Sequence, residues 1–420
     1  MAATASGEGA ALRVPPTNQR FELFESLRAI AAMSVLVFHT AGWADVNLFA
    51  WYGAFTSKLH VGVTLFFLIS GFLLYRPHAV QMLGGPAAPH TGDYALRRMF
   101  RILPAYWVAL TVMSVWPGLP GVFTSDWWVP YGLLQSYRQS WSMRGIGVDW
   151  SLSVELAFYV LLPLLAITLA RACRRLTPRG RLRVQLLVFA ALGAGSLTFR
   201  AAIHHAQFVD LYITLPSNLL GFLAGMALAV VSTWFERRER EWWAARWVAA
   251  HSGWCWVLAA VLFTAISLSP GFPRPFDRAP QPTVAYTVES LIYSAIAFFV
   301  MLPAVFGEHA GGLPRRVLRS RALSWIGKIS YGIFLWHLPL LGALHASIVA
   351  PLHLPLAQAF ALLALLIVPL ALLLGWLSWR WIEVPALRVA RSLGGRGTFA
   401  AVAVGELEPA RDRAEEQPRP

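Results

Sequence analysis

Charge is what this chain has little of. Only 13% of its 420 residues are charged, against 57% hydrophobic. A water-soluble chain of this length keeps a polar face on most of its helices, so the deficit excludes an ordinary soluble enzyme. Acidic residues are the scarcer kind. Twenty-one Asp and Glu stand against 35 Lys and Arg, leaving a net charge of +14. Such an excess invites a nucleic-acid reading, but the basic residues cluster in short segments between apolar blocks. Cysteine is almost missing. Cys173 and Cys255 are the only two, which excludes a disulfide framework. Neither His-Glu-x-x-His nor Cys-x-x-Cys occurs, so no metal is expected. Residues 1–20 lack the apolar core of a cleavable signal peptide. No internal repeat and no separate soluble domain stands out.

What the chain has instead is a succession of apolar blocks of about twenty residues, the mark of an all-α polytopic membrane protein. About ten spans are expected, near 27–43, 59–75, 101–117, 150–170, 184–203, 211–231, 252–269, 284–305, 326–345 and 357–379. An even count puts both termini on one side. Arginines crowd one set of loops: Arg97, Arg98 and Arg101, then Arg171 to Arg183, Arg237 to Arg246, and Arg315 to Arg321. The opposite set holds only Lys58, Arg138, Arg144, Arg200, Arg274 and Arg278. Both termini are therefore expected in the cytoplasm. Residues 1–20 and 391–420 read as disordered tails around a membrane domain at 21–390. The longest outer segment, about 118–149, carries Trp127, Trp128, Tyr131, Tyr137 and Trp141. These suit the membrane interface, or a platform for a sugar ring.

Ionisable groups inside apolar runs need a reason to be there. The first run holds Arg28 at its start and His39 eleven residues on. That gap is close to three helical turns, so both lie on nearly one face, about 16 Å apart along the axis. Arg28 alone reads as an anchor snorkelling to headgroups. His39 lies too deep to snorkel, and neutral imidazole can take a proton from a hydroxyl. Arg98 and Arg101 project together from a helix start. They form either a grip for phosphate oxygens or an ordinary positive-inside cluster. Asp149-Trp150-Ser151-Leu152-Ser153-Val154-Glu155 opens the fourth span. Glu155 is a lone carboxylate, and depth along the helices makes His39 its expected partner. Ser70-Gly71 in the second span reads as a close-packing pair. His337 in the ninth span lines the same cavity or bonds across helices. Glu383, ending the tenth, reads as the partner of a loop arginine.

These segments together resemble the acyltransferase-3 family, the bacterial membrane O-acyltransferases related to O-antigen and peptidoglycan O-acetylases. The resemblance covers about residues 20–390 and rests on five landmarks in order. They are Leu27-Arg28-Ala29-Ile30-Ala31-Ala32 running to His39; Leu65-Phe66-Phe67 with Ser70-Gly71-Phe72; Arg98-x-x-Arg101 with Pro104 and Tyr106; Trp150 to Glu155 with Phe158-Tyr159; and Ser330-Tyr331-Gly332 with Leu335-Trp336-His337. The chain also departs from the family. Glu25-Ser26 stands where Asp-Gly is common, and Leu156-Ala157 where a second glutamate and a glutamine often follow Glu155. The extra extracytoplasmic domain of some members is not seen, so the chain resembles the membrane-only form.

The resemblance implies transfer of an acyl group, often acetyl, from cytoplasmic acyl-CoA to a hydroxyl. Acceptors in the family are cell-surface sugars, lipid-linked glycans and secondary metabolites. It implies catalytic roles for His39 and Glu155, and donor binding by Arg28, Arg98 and Arg101. Tyr106 joins the donor side as a candidate oxyanion stabiliser, and Trp150, Ser151 and His337 are candidate acceptor contacts. The expected location is the cytoplasmic membrane of a bacterial-type cell, among membrane lipids and with no nucleic-acid partner. The rival is a proton-coupled transporter of a small polar solute, with His39 and Glu155 as the relay.

Overall fold

The computed structural model describes residues 23–393, apart from 142–143, 207, 237–242, 273, 275–281 and 308–309. The expected tails lie outside the described residues, except 391–393, which end the last helix. Every regular element described is helical. The first long helix, α1 (Leu23–Trp43), leads through two short ones, α2 (Val46–Phe49) and α3 (Gly53–Thr56), into α4 (Val61–Met82). Next come α5 (Thr91–Val115), the short α6 (Trp128–Tyr131), α7 (Trp150–Ala172), α8 (Pro178–His205) and α9 (Leu215–Glu236). The second half holds α10 (Trp243–Ala250), α11 (Ser252–Leu268), α12 (Thr283–Val305), the short α13 (Leu313–Leu318) and α14 (Arg321–Lys328). It closes with α15 (Ser330–Leu344), α16 (Leu356–Ser378) and α17 (Val384–Leu393). Single π-turns at His345–Val349 and Trp379–Glu383 extend α15 and α16.

Eight helical segments among the described residues are long and apolar enough to cross a membrane, nine if α10 and α11, bent by 85°, form one span. Of the ten expected spans, the one outside this set is 101–117, now part of α5. Asp93, Arg97, Arg98 and Arg101 occupy the first turns of that helix, and charges there interrupt the apolar stretch that hydrocarbon demands. On the others, Val160, Leu164, Leu187, Val261 and Leu365 are exposed. Lipid accepts such apolar surface, which water would penalise. Trp127, Trp128 and Tyr137 are exposed as well, whereas Trp141 is buried with its indole N–H donating to Asp126.

The α4–α9 pair holds the bundle's centre together. A Cβ at Gly71 would run into the Phe222 carbonyl, and one at Gly225 into the Leu68 carbonyl. The two backbones therefore touch, which only small residues allow. Phe222 of α9 stacks on Phe67 of α4 at 4.6 Å and on Phe158 of α7 at 4.0 Å, so one ring joins three helices. Arg76 closes the far end of the pair on Glu236 at 2.6 Å.

Not every loop arginine faces headgroups. Arg315 is fully buried and donates to the carbonyls of Pro303, Ala249, Gly311, Val248 and Phe306 at 2.7–3.1 Å. It satisfies the open C-terminal carbonyls of α10 and α12, which would otherwise lack partners. Arg181 does the same for the carbonyls of Cys173, Leu176, Arg174 and Met82.

Two stability outcomes follow from this packing. Gly225→Leu forces α4 and α9 apart and is expected to destabilise the protein by about 3 kcal/mol or more. Arg315→Met strands several buried carbonyls and is expected to cost at least about 3 kcal/mol. Thermal unfolding of the detergent-solubilised variants measures both, and a melting temperature equal to wild type would contradict either assignment.

Candidate active site

The site begins at the first turn of α1. Arg28 extends back to Glu25, with Nη1 2.8 Å from Oε1. Glu25 is held in place because Gly327 of α14 packs directly on its backbone carbonyl. From α5, Arg98 and Arg101 reach the same place. All three arginines line one cavity of about 90 Å³ with Glu155, Ser70, Ser151, Tyr159, Tyr331 and an apolar wall that includes Phe66 and Phe334. The Arg98 guanidinium lies over the Tyr159 ring at 5.9 Å, and its buried Nε has no hydrogen-bond partner. A buried donor left unmet is costly, and three guanidiniums around one cavity suit an anionic guest that supplies acceptor oxygens.

Glu155 does not meet His39. Its Oε1 accepts from the Ser70 hydroxyl at 2.6 Å. The stacked Phe67–Phe222–Phe158 rings lie one turn away from both residues and set that distance. The expected His39 contact assumed that α7 starts at the outer membrane boundary. The structure sets that start deeper. Asp149, immediately before α7, is 1% exposed and lies 3.1 Å from the Tyr106 hydroxyl, well inside the length of α5. Burial pushes the Asp149 carboxyl up to about 6. Glu155 therefore sits level with the arginines.

His39 finds its partner on α15. Its Nδ1 is 3.1 Å from His337 Nε2. His337 is 1% exposed, and its Nδ1 lies 3.1 Å from the Ile333 carbonyl and 2.9 Å from the Phe334 carbonyl. The pair lies beyond the cavity wall. Phe334 lines the cavity, and its ring centroid is 6.0 Å from that of His337.

The structure thus brings Arg28, Arg98, Arg101, Ser151 and Glu155 together and sets His39 with His337 beside them. It keeps two expected residues apart from the cavity. The Tyr106 hydroxyl is engaged by the Pro130 carbonyl at 2.7 Å and by Asp149. Trp150 is half-buried with its ring edge toward Phe67. Sequence reasoning took Ser70 for a packing residue and gave Tyr159 and Phe334 no separate role. Ser70 carried a usable signal, because a hydroxyl inside an apolar helix also needs a partner. A second polar group lies near Phe38. There Lys58, 1% exposed, pairs with Glu289 at 2.9 Å, Tyr293 donates to Glu289 at 2.8 Å, and His60 sits against Tyr293 and Phe38.

A family profile described as an acyltransferase domain matches residues 22–380. The chain is 24% identical over 382 residues to the peptidoglycan O-acetyltransferase OatA of Listeria monocytogenes, covering 86% of this chain and 55% of that protein. It is 23% identical over 345 residues to a putative peptidoglycan O-acetyltransferase of Bacillus subtilis, covering 76% of this chain and 48% of that one. A putative O-acetyltransferase of Staphylococcus aureus is 22% identical over 382 residues, with 86% and 56% covered. The chain spans about half the length of these curated relatives. No solved structure gives a significant match. Its helices, its arginine-lined cavity and the profile covering most of its length agree: the chain belongs to the acyltransferase-3 family of multi-pass membrane proteins, related to the peptidoglycan O-acetyltransferases.

Proposed function

We propose that this chain is a membrane O-acyltransferase that moves an acyl group, acetyl in the simplest case, from cytoplasmic acyl-CoA to a hydroxyl of a cell-envelope glycan. The observation that carries the reading is the convergence of Arg28, Arg98 and Arg101 on one cavity next to a buried histidine pair. Arg28, Arg97, Arg98 and Arg101, gathered around this end of α1 and α5, favour a cytoplasmic start of α1. That orientation sets the arginine end of α1 toward the cytoplasm, where the donor is found, and His39 toward the outside. Two of the relatives are named for peptidoglycan, which supports a glycan as the acceptor class.

In this reading the thioester supplies an activated acyl carbon, and the protein supplies placement and proton transfer. Arg98 and Arg101 grip phosphate oxygens through charge-assisted hydrogen bonds. Arg28, steadied by Glu25, adds positive charge at the mouth. Glu155, bonded to Ser70, adds to Glu25 a second negative charge beside the three guanidiniums before the donor arrives. His39 accepts the proton of the acceptor hydroxyl as its oxygen bonds to the acyl carbon. The carbon–sulfur bond breaks, and the same proton passes to the departing thiolate, so atoms and charge balance. Tyr106, occupied by Pro130 and Asp149, is assigned to holding the recessed start of α7.

Two outcomes test this. With purified protein, labelled acetyl-CoA and envelope glycan, His39→Ala is expected to lower kcat by about 10²- to 10⁴-fold while the protein stays folded. A folded variant with wild-type turnover would remove His39 from the chemistry. Arg98→Ala and Arg101→Ala are each expected to raise the donor KM by roughly 10-fold to 100-fold, the equivalent of one charged hydrogen bond. Unchanged donor binding would return both arginines to the role of orientation charges. Proton-coupled solute flux without label transfer would favour a transporter instead.

A further inference from the structure

We propose that His337 is a positioning residue of this reaction, holding His39 in the tautomer whose Nε2 carries the lone pair. The inference rests on the reading of His39 as the proton acceptor and goes one step beyond it.

The argument is one of donors and acceptors. A neutral imidazole has one ring N–H and one lone pair. His337 Nδ1 faces two carbonyl oxygens of its own helix, Ile333 at 3.1 Å and Phe334 at 2.9 Å. Carbonyl oxygens only accept, so the hydrogen of His337 is on Nδ1. A doubly protonated ring would place a full charge where exposure is 1% and where, among the described residues, His337 has no ion-pair partner. Such a charge is expensive. His337 is therefore neutral, and its Nε2 bears a lone pair. That atom lies 3.1 Å from His39 Nδ1. Two facing lone pairs would repel, so His39 Nδ1 carries a hydrogen and donates it; the Val35 carbonyl, one turn back on α1, is a further acceptor beside the same ring. The remaining ring nitrogen of His39, Nε2, is left unprotonated.

The arrangement does for His39 what a buried carboxylate does in many hydrolytic sites. It selects a tautomer, fixes the ring angle, and keeps an acceptor on Nδ1–H when Nε2 takes a proton. Here the orienting group is neutral. Its own direction is set by the α15 backbone, so no second buried charge is needed. The arrangement also explains why Glu155 is free to serve the arginines.

The decisive measurement is nitrogen NMR of histidine-labelled protein in detergent, with the His39 signals identified through His39→Ala. Wild type is expected to show hydrogen on His39 Nδ1 and a lone pair on Nε2. His337→Leu is expected to weaken that preference, leaving the Val35 carbonyl as the ring's remaining acceptor, and His337→Gln, which restores a carbonyl acceptor, to recover it. Hydrogen on His39 Nε2 in wild type would overturn the proposal whether or not acyl transfer is detected. Kinetics give the second arm. His337→Leu should lower kcat by at least about 10²-fold with the donor KM and melting temperature unchanged. His337→Gln should regain most of the rate, and the His39→Ala/His337→Leu pair should be no slower than His39→Ala alone. Equal loss in the Leu and Gln variants together with a lowered melting temperature, or losses that multiply in the pair, would make His337 a packing residue. Full activity in His39→Ala would sink the proton-acceptor reading itself, while the NMR result would still decide the tautomer.

Discussion

Two carboxylates, Glu25 and Glu155, and three guanidiniums inside a helical bundle are tolerable only as a group, and the rest of the structure is arranged to keep them together. Glu155 accepts from Ser70, and Arg28, Arg98 and Arg101 line the same cavity. Taken singly, each charge would face a desolvation cost that no bilayer interior repays. Their common location depends on three helices holding register. The backbone contact of α4 and α9 at Gly71 and Gly225 brings Phe222 between Phe67 and Phe158. That stack sets the distance between Ser70 and Glu155. A change in helix spacing far from any charged atom would thus be felt in the cavity.

The arginines divide by what they touch. Arg181 and Arg315 cap open helix ends through backbone carbonyls. Arg28 and Arg76 pair with acids on helix faces. Arg98 and Arg200 each keep a buried Nε with no hydrogen-bond partner, and of the two Arg98 lines the cavity. Composition treats them as one excess of positive charge. Geometry sorts them into those that cap helix ends, those that pair with acids and those that line the cavity.

Two buried polar centres sit side by side with an aromatic wall between them. Phe334 borders the arginine cavity and lies against the ring of His337. The three arginines and the histidine pair therefore occupy separate compartments.

The amino-acid sequence by itself determined the class of protein, most of the spans and most of the polar residues gathered at the cavity and the histidine pair. Apolar length is a local property, and an ionisable side chain inside an apolar run is conspicuous wherever it lies. Arg28, His39, Arg98, Arg101, Glu155 and His337 were all visible in that way. Partnership was not. Spacing along one helix says which residues share its face, but nothing about which neighbouring helix that face meets. Depth misled as well. The segment before α7 folds inward until Asp149 reaches Tyr106, and no residue count along α7 reveals where its first turn begins. Tertiary packing alone decided that Glu155 belongs with Ser70 and the arginines, and that His39 belongs with His337.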